Sequence, residues 1–232
     1  VTPIASTGLY RSGAAAFFVT ALPGVWRADS RFARTPDLER FLQGVIAHEL
    51  AHTRHLAPLL SRIKEITRRH GIDGVHLDDD IVQTRFQKAP GFQAAIEAEI
   101  EMFFRAAATP DPTARKALAT RALSLAKARR ERHFRGAESV YAELEDVFLS
   151  LEGVGQWAAF SLARARGSRA TPDQALIDFV RDNRRYWSQE EGFAQVLLLE
   201  RLVPEWQGLV LGPDLVSPRA LLDEAVRGPG SR

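Results

Sequence analysis

The sequence predicts a mainly α-helical protein with a small β-hairpin or sheet, folded as a single domain over residues 1–232. Three observations carry that reading. Apolar residues recur at three-four spacing through most of the chain, the period of a helix with one buried face. Proline and Ser/Thr/Asp signals mark helix starts at several places. Extended patterning is confined to the first thirty residues, and no Gly-, Ser- or Pro-rich stretch divides the chain.

Taken in order, Ala14 to Ala21 (AAAFFVTA) and Val25 to Arg27 flank Leu22-Pro23-Gly24, a Pro-Gly turn signal between apolar runs, and predict a hairpin. Thr35-Pro36-Asp37 then reads as a helix start, followed by a buried stripe of Leu38, Phe41, Leu42, Val45 and Ile46. That helix is expected to stop near Leu56, because Pro58 lacks the N–H a helix interior needs. A second should run from Pro58 to Arg69. Phe92, Ile96, Ile100 and Phe103 mark a third helix, Thr113 to about His133 a fourth, and Val140, Leu144, Val147, Phe148 and Leu151 a fifth. The pattern resumes after Glu152-Gly153 with Trp157 and Phe160. Thr171-Pro172-Asp173 opens a helix with Leu176, Phe179 and Val180 inward, Glu190 to Val203 forms another, and Ser217-Pro218 opens the last, before a frayed tail at 228–232.

Composition narrows the function classes. With 45% hydrophobic and 26% charged residues the chain can bury a core, which excludes wholesale disorder. It has no cysteine, so no disulfide, thiolate metal site or cysteine nucleophile. The longest apolar runs are too short to span a bilayer. There are 27 arginines against four lysines, which helps explain a pI near 9.2 beside a net charge of +2. The short clusters at 129–132 and 181–185 form no long basic block, so solvated helix faces are expected rather than a nucleic-acid surface. The chain begins at Val1 without an initiator Met, which points to a processed product and leans towards export.

One motif carries chemistry. His48-Glu49-Leu50-Ala51-His52 is HExxH, inside a segment already assigned to a helix. Residues i and i+4 share a helix face, so both imidazoles can reach one ion, and zinc suits such a pair. Glu49 is rotated off that face, placed to take a proton from a water that the metal acidifies. With 6 His in 232 residues a chance match arises in about one such chain in a hundred.

With GVIAHELAH leading into the motif, the chain resembles the zincin metallopeptidases. Leu151-Glu152-Gly153-Val154-Gly155-Gln156-Trp157 extends the likeness. It is similar to the Glu-Gly-Phe-Ala segment in which aminopeptidase N-type gluzincins place their third zinc ligand. The resemblance implies a zincin-like metallopeptidase fold, a Zn²⁺ held by His48, His52 and Glu152, Glu49 as general base, and a peptide or protein substrate. It also implies that glycine after the Glu lets the two helices approach. The family's short spacing lands here on Gly71, so a helical insertion over about 71–137 is expected to loop out and return. Glu152 ends an apolar stripe, and a carboxylate buried there needs a cation.

Other candidates stay open on the residues alone. Glu191-Gly192-Phe193-Ala194 matches the Glu-Gly string more literally but follows a polar run read as a loop, where Glu191 could be solvated. Asp73, Asp78 to Asp80, His55 and His70 lie nearer to the motif. A metzincin-type third His would fall at Pro58, which excludes that pattern. Tyr186 is a candidate hydrogen-bond donor to an oxyanion, the role gluzincins give a Tyr or His. The strand Ala15 to Thr20 is a candidate edge for an extended substrate, against the plainer reading of a buried strand. The functional alternatives are a catalytically inactive zincin-fold binding protein and a metal-free helical protein acting through its arginine-rich faces.

Overall fold

In the computed structural model, the structure describes residues 3–10, 15–30, 32–33, 35, 37–72, 77–167, 177–178, 180–181, 186–212 and 214–228. Several expectations lie outside them: Pro36 at the first helix start, Asp73, the Thr171-Pro172-Asp173 start with Leu176 and Phe179, Arg184 and Arg185 of the second arginine cluster, and the tail from residue 229.

The described chain is mainly helical with one two-stranded antiparallel sheet. Strands β1 (Ala5–Leu9) and β2 (Ala16–Thr20) pair with Thr7 opposite Phe18. A hairpin therefore forms, but not the expected one, because the strand that pairs with AAAFFVTA lies upstream of it. Val25 to Arg27 belong instead to helix α1 (Pro23–Ala28), with Pro23 in its first turn after Leu22. A Pro-Gly pair reads as a turn by default, yet the fixed φ of proline fits the first helical position equally well.

Helix α2 (Leu38–His70) follows, with the Asp37 carboxylate accepting from Arg40 N–H at 2.9 Å as its cap. It runs unbroken through Pro58, against the expected stop near Leu56. Proline removes one ladder bond at a typical cost of about 3 kcal/mol. Leu56, Leu59 and Ile66 are all buried, so apolar burial on both sides of the proline offsets that loss.

Helices α3 (Ile81–Phe86), α4 (Phe92–Ala108) and α5 (Pro112–His133) come next, then a 3₁₀ turn at Gly136–Ser139. Helix α6 (Val140–Arg166) joins the two apolar stripes on either side of Glu152-Gly153 into one element. Helices α7 (Trp187–Leu202), α8 (Trp206–Val210) and α9 (Pro218–Arg227) complete the chain, with Ser217 capping α9 through Ala220 N–H. No helix among the described residues is long and apolar enough to cross a membrane.

The chain forms two compact units, and the long helices α2 and α6 each contribute to both. The first comprises Val1–Ala57 and Val154–Asn183. In it, Trp26, Phe32 and Phe41 form an aromatic cluster. Helices α2 and α6 run antiparallel there. Gly44 faces Ala159, and Arg166 donates to Gln43 at 2.6 Å.

The second unit comprises Pro58–Gly153 and Arg184–Arg232. One part of its core gathers Leu59 and Ile66 with Val140, Leu144, Val147 and Phe148. Another packs α4 against α5 and α7, with α9 on α5 and α7. Here the reading of Arg129 to Arg132 as a solvated face is overturned for two members. Arg129 is 2% exposed and donates to Glu99 at 2.8 and 2.9 Å and to Glu145 at 2.8 Å. Arg130 pairs with Glu145 and Asp146, and Arg219 also holds Asp146. Alternating arginine and acid in sequence suits a wet surface as well as a buried network. Partners on α4 and α6 make it the latter.

Removing one partner from such a network strands the others. Arg129→Met is expected to lower unfolding stability by about 3–5 kcal/mol, because Glu99 and Glu145 stay buried without their cation. Urea titration of the two proteins checks this, and an unchanged midpoint would refute it.

Candidate metal centre

The HExxH residues sit in the middle of α2, one turn apart. The His48 and His52 rings meet edge to face with centroids 4.4 Å apart, and their Nε2 atoms converge to 2.8 Å. Two nitrogens bound at ~2.0–2.1 Å to one tetrahedral ion stand about 3.3 Å apart, so a small opening of this pair accommodates a metal. His52 is buried and His48 half-buried.

Glu152 comes from the middle of α6 and is 3% exposed. One ligand atom each from His48, His52 and Glu152 lie within 4.8 Å of one another, so this group can hold a metal ion. The donor set of two imidazoles and one carboxylate fits that role chemically. They are the same three residues that the family resemblance groups together.

A glycine makes room for the His48 ring. A Cβ on Gly155 would stand 2.6 Å from His48 Cε1 and 2.7 Å from Nδ1, far inside contact distance. The His48 ring therefore lies directly against the α6 backbone at a position where only glycine fits. The family resemblance implies this closeness at the glycine after Glu152, Gly153, but it belongs to Gly155. A Cβ on Gly153 would meet the Gly192 backbone at 2.4 Å, so Gly153 serves the α6–α7 contact. A second mid-helix glycine three residues after Glu152 was the available signal, since glycine there costs about 1 kcal/mol relative to alanine without a packing reason.

Glu191 lies elsewhere, and not as expected. It is inside α7, 0% exposed, accepting from Gln195 Nε2 at 2.8 Å and standing 3.7 Å from Arg129. Burial, then the Glu99 carboxylate, pushes its carboxyl well above the usual range. The polar run Ser188-Gln189-Glu190 concealed this. Helix α7 already starts at Trp187, whose ring stacks on Phe92 and whose N–H donates to Gln83 at 2.9 Å.

Of the remaining candidates, His55 is fully buried with Nδ1 2.9 Å from the Ala51 carbonyl oxygen, one turn back on α2. His70 joins Arg69 on Glu143. Tyr186 is half-buried in the N-cap position of α7. Asp79 sits in the turn before α3. Burial, followed by the charge of Glu152, pushes its carboxyl up to about 7. Thr7 was not singled out in the sequence, and a strand residue so far from the motif gave no local signal. Its hydroxyl reaches Glu49 Oε2 at 2.6 Å, and Glu49 is 7% exposed.

No known protein family, curated protein or solved structure matches the chain.

Two outcomes test this geometry. Glu152→Ala should lose at least about 100-fold in divalent-metal affinity, more than the 10–100-fold typical of an outer-shell change, while Glu191→Ala leaves that affinity unchanged. Chelator competition measures both, and the reverse ranking would move the third ligand to Glu191. Separately, Gly155→Ala must push the His48 ring aside and should weaken divalent-metal binding by about 10–100-fold without unfolding the protein. Isothermal titration with matched circular dichroism checks it.

Proposed function

We propose that the chain is a zinc-dependent metallopeptidase of gluzincin type with a zincin-like fold, hydrolysing peptide bonds in a peptide or protein substrate. The observation that supports this reading most is the meeting of an HExxH pair with a buried carboxylate from a second helix. Structural zinc sites are usually closed by four protein ligands, whereas two His and one Glu leave a position open, as catalytic sites require.

Zinc bound there would polarise the scissile carbonyl and bring the pKa of a water down to ~7. The protein's own part is then divided among few residues. His48, His52 and Glu152 hold the ion, with Glu152 supplying the negative charge. Glu49, next to His48 on the same helix, receives the proton of the attacking water and passes it to the leaving amine. Glu49 is 7% exposed, so little of its carboxylate faces bulk solvent. Tyr186 is the candidate to donate to the oxyanion as the carbonyl carbon becomes tetrahedral.

Glu49→Gln is expected to keep the fold and the metal and to lower turnover by about 10²–10⁴-fold, because an amide cannot accept the proton. A panel of unstructured proteins and fluorogenic peptides provides the assay, with zinc content measured on the same samples. Turnover above about a tenth of wild type would remove Glu49 as the base. A zinc-loaded wild-type protein that cleaves nothing in the panel would favour a zincin-fold binding protein.

A further inference from the structure

The hairpin touches the motif helix at one polar point that the chemistry above leaves unused. Thr7 Oγ1 lies 2.6 Å from Glu49 Oε2 and 3.1 Å from the Glu49 backbone oxygen. A hydroxyl has one hydrogen to donate. The shorter distance falls in the 2.5–2.7 Å range of a charge-assisted O–H···O⁻ bond, so the proton goes to the carboxylate. Threonine is stiff about χ1, and Thr7 is held in a strand paired to Phe18. The direction of its hydroxyl is therefore set by backbone. Glu49, in contrast, is a long side chain with freedom at every torsion unless something fixes it.

We infer that Thr7 is a positioning residue for Glu49: its hydroxyl pins Oε2 and so leaves Oε1 as the oxygen that takes the proton. The inference rests on the reading of Glu49 as a general base. Its rival is a purely structural contact that fastens the hairpin to α2. The two differ in what they require. Fastening needs bulk and contact area, which valine supplies. Positioning needs the hydroxyl, which serine supplies.

The test compares Thr7→Val, Thr7→Ser and Glu49→Gln with wild type, each loaded with Zn²⁺ for turnover of fluorescein-labelled β-casein and with Co²⁺ for its visible spectrum. Thr7→Val is expected to bind both metals within about 2-fold of wild type and to lose about 10–100-fold in kcat at nearly unchanged KM, the scale of a misplaced catalytic group. Its cobalt bands should shift in the same sense as those of Glu49→Gln, while Thr7→Ser stays near wild type in both readouts. Should Thr7→Val fail to fold by circular dichroism, Thr7→Ala takes its place in the comparison. Wild-type kcat and cobalt spectrum in the hydroxyl-free variant overturn the inference, as does a Thr7→Ser protein no better than Thr7→Val. If wild type takes up metal but cleaves no casein, the peptidase reading fails by itself. The cobalt spectra then decide: a shift shared by Thr7→Val and Glu49→Gln and absent from Thr7→Ser upholds the Thr7–Glu49 coupling, and no shift overturns it. A wild-type protein that binds neither metal overturns both.

Discussion

The approach of the α6 backbone to the His48 ring is the constraint on which the rest of the arrangement turns. A helix can come this close to an imidazole only where it carries no side chain, and Gly155 is that place. Once Gly155 faces His48 in an antiparallel pair, the helical repeat dictates what comes next. Gly44 meets Ala159 one turn further along, and Gln43 reaches Arg166. In the other direction, moving back three residues along α6 leads to Glu152, and moving on one turn along α2 leads to His52. The grouping of His48, His52 and Glu152 is thus a consequence of register. A slip of one residue would turn Glu152 away by about 100° of helix rotation.

A carboxylate as buried as Glu152 would ordinarily be unfavourable, and the chain shows two ways of dealing with such groups. Around Arg129 the answer is a fixed cation. The guanidinium is planar and carries five donors, so it serves Glu99 and Glu145 with near-parallel hydrogen bonds, and it lies 5.1 Å over the Phe92 ring. Glu191, the surplus acid, is driven towards its neutral form. At Glu152 the neighbours are two imidazoles and the acidic turn containing Asp79, whose own carboxyl rises to about 7 beside it. The first environment is built around a buried guanidinium, and the second places two imidazoles within metal-ligand distance of the carboxylate. That contrast separates the two Glu-Gly segments, which look alike on paper.

Much of the fold was legible because helices announce themselves locally. The starts of α5 and α9 and the stripes of α4 and α6 follow from caps and spacing within a few residues. The departures have two physical origins. A stop at Pro58, a loop at Ser188-Gln189-Glu190 and a wet surface at Arg129-Arg130 are each the correct default for a segment considered alone, and tertiary partners override them: Leu59 and Ile66 packed with α6, Phe92 stacked on Trp187, and Glu99 and Glu145 closing on Arg129. The Pro-Gly pair differs, because proline suits a turn and a first helical turn equally well.

The sequence by itself determined the residue types and the one spacing that chemistry needs: two His a turn apart with a Glu beside the first, and a Glu at the end of an apolar stripe. Local periodicity suffices for that, because positions i and i+4 of a helix are neighbours whatever surrounds them. Only the tertiary structure decided which distant carboxylate joins the pair, which glycine makes the space, and that Thr7 reaches Glu49. Those are contacts between elements far apart in the chain. Their existence depends on helix register and strand pairing, and a linear pattern of residue types does not contain either.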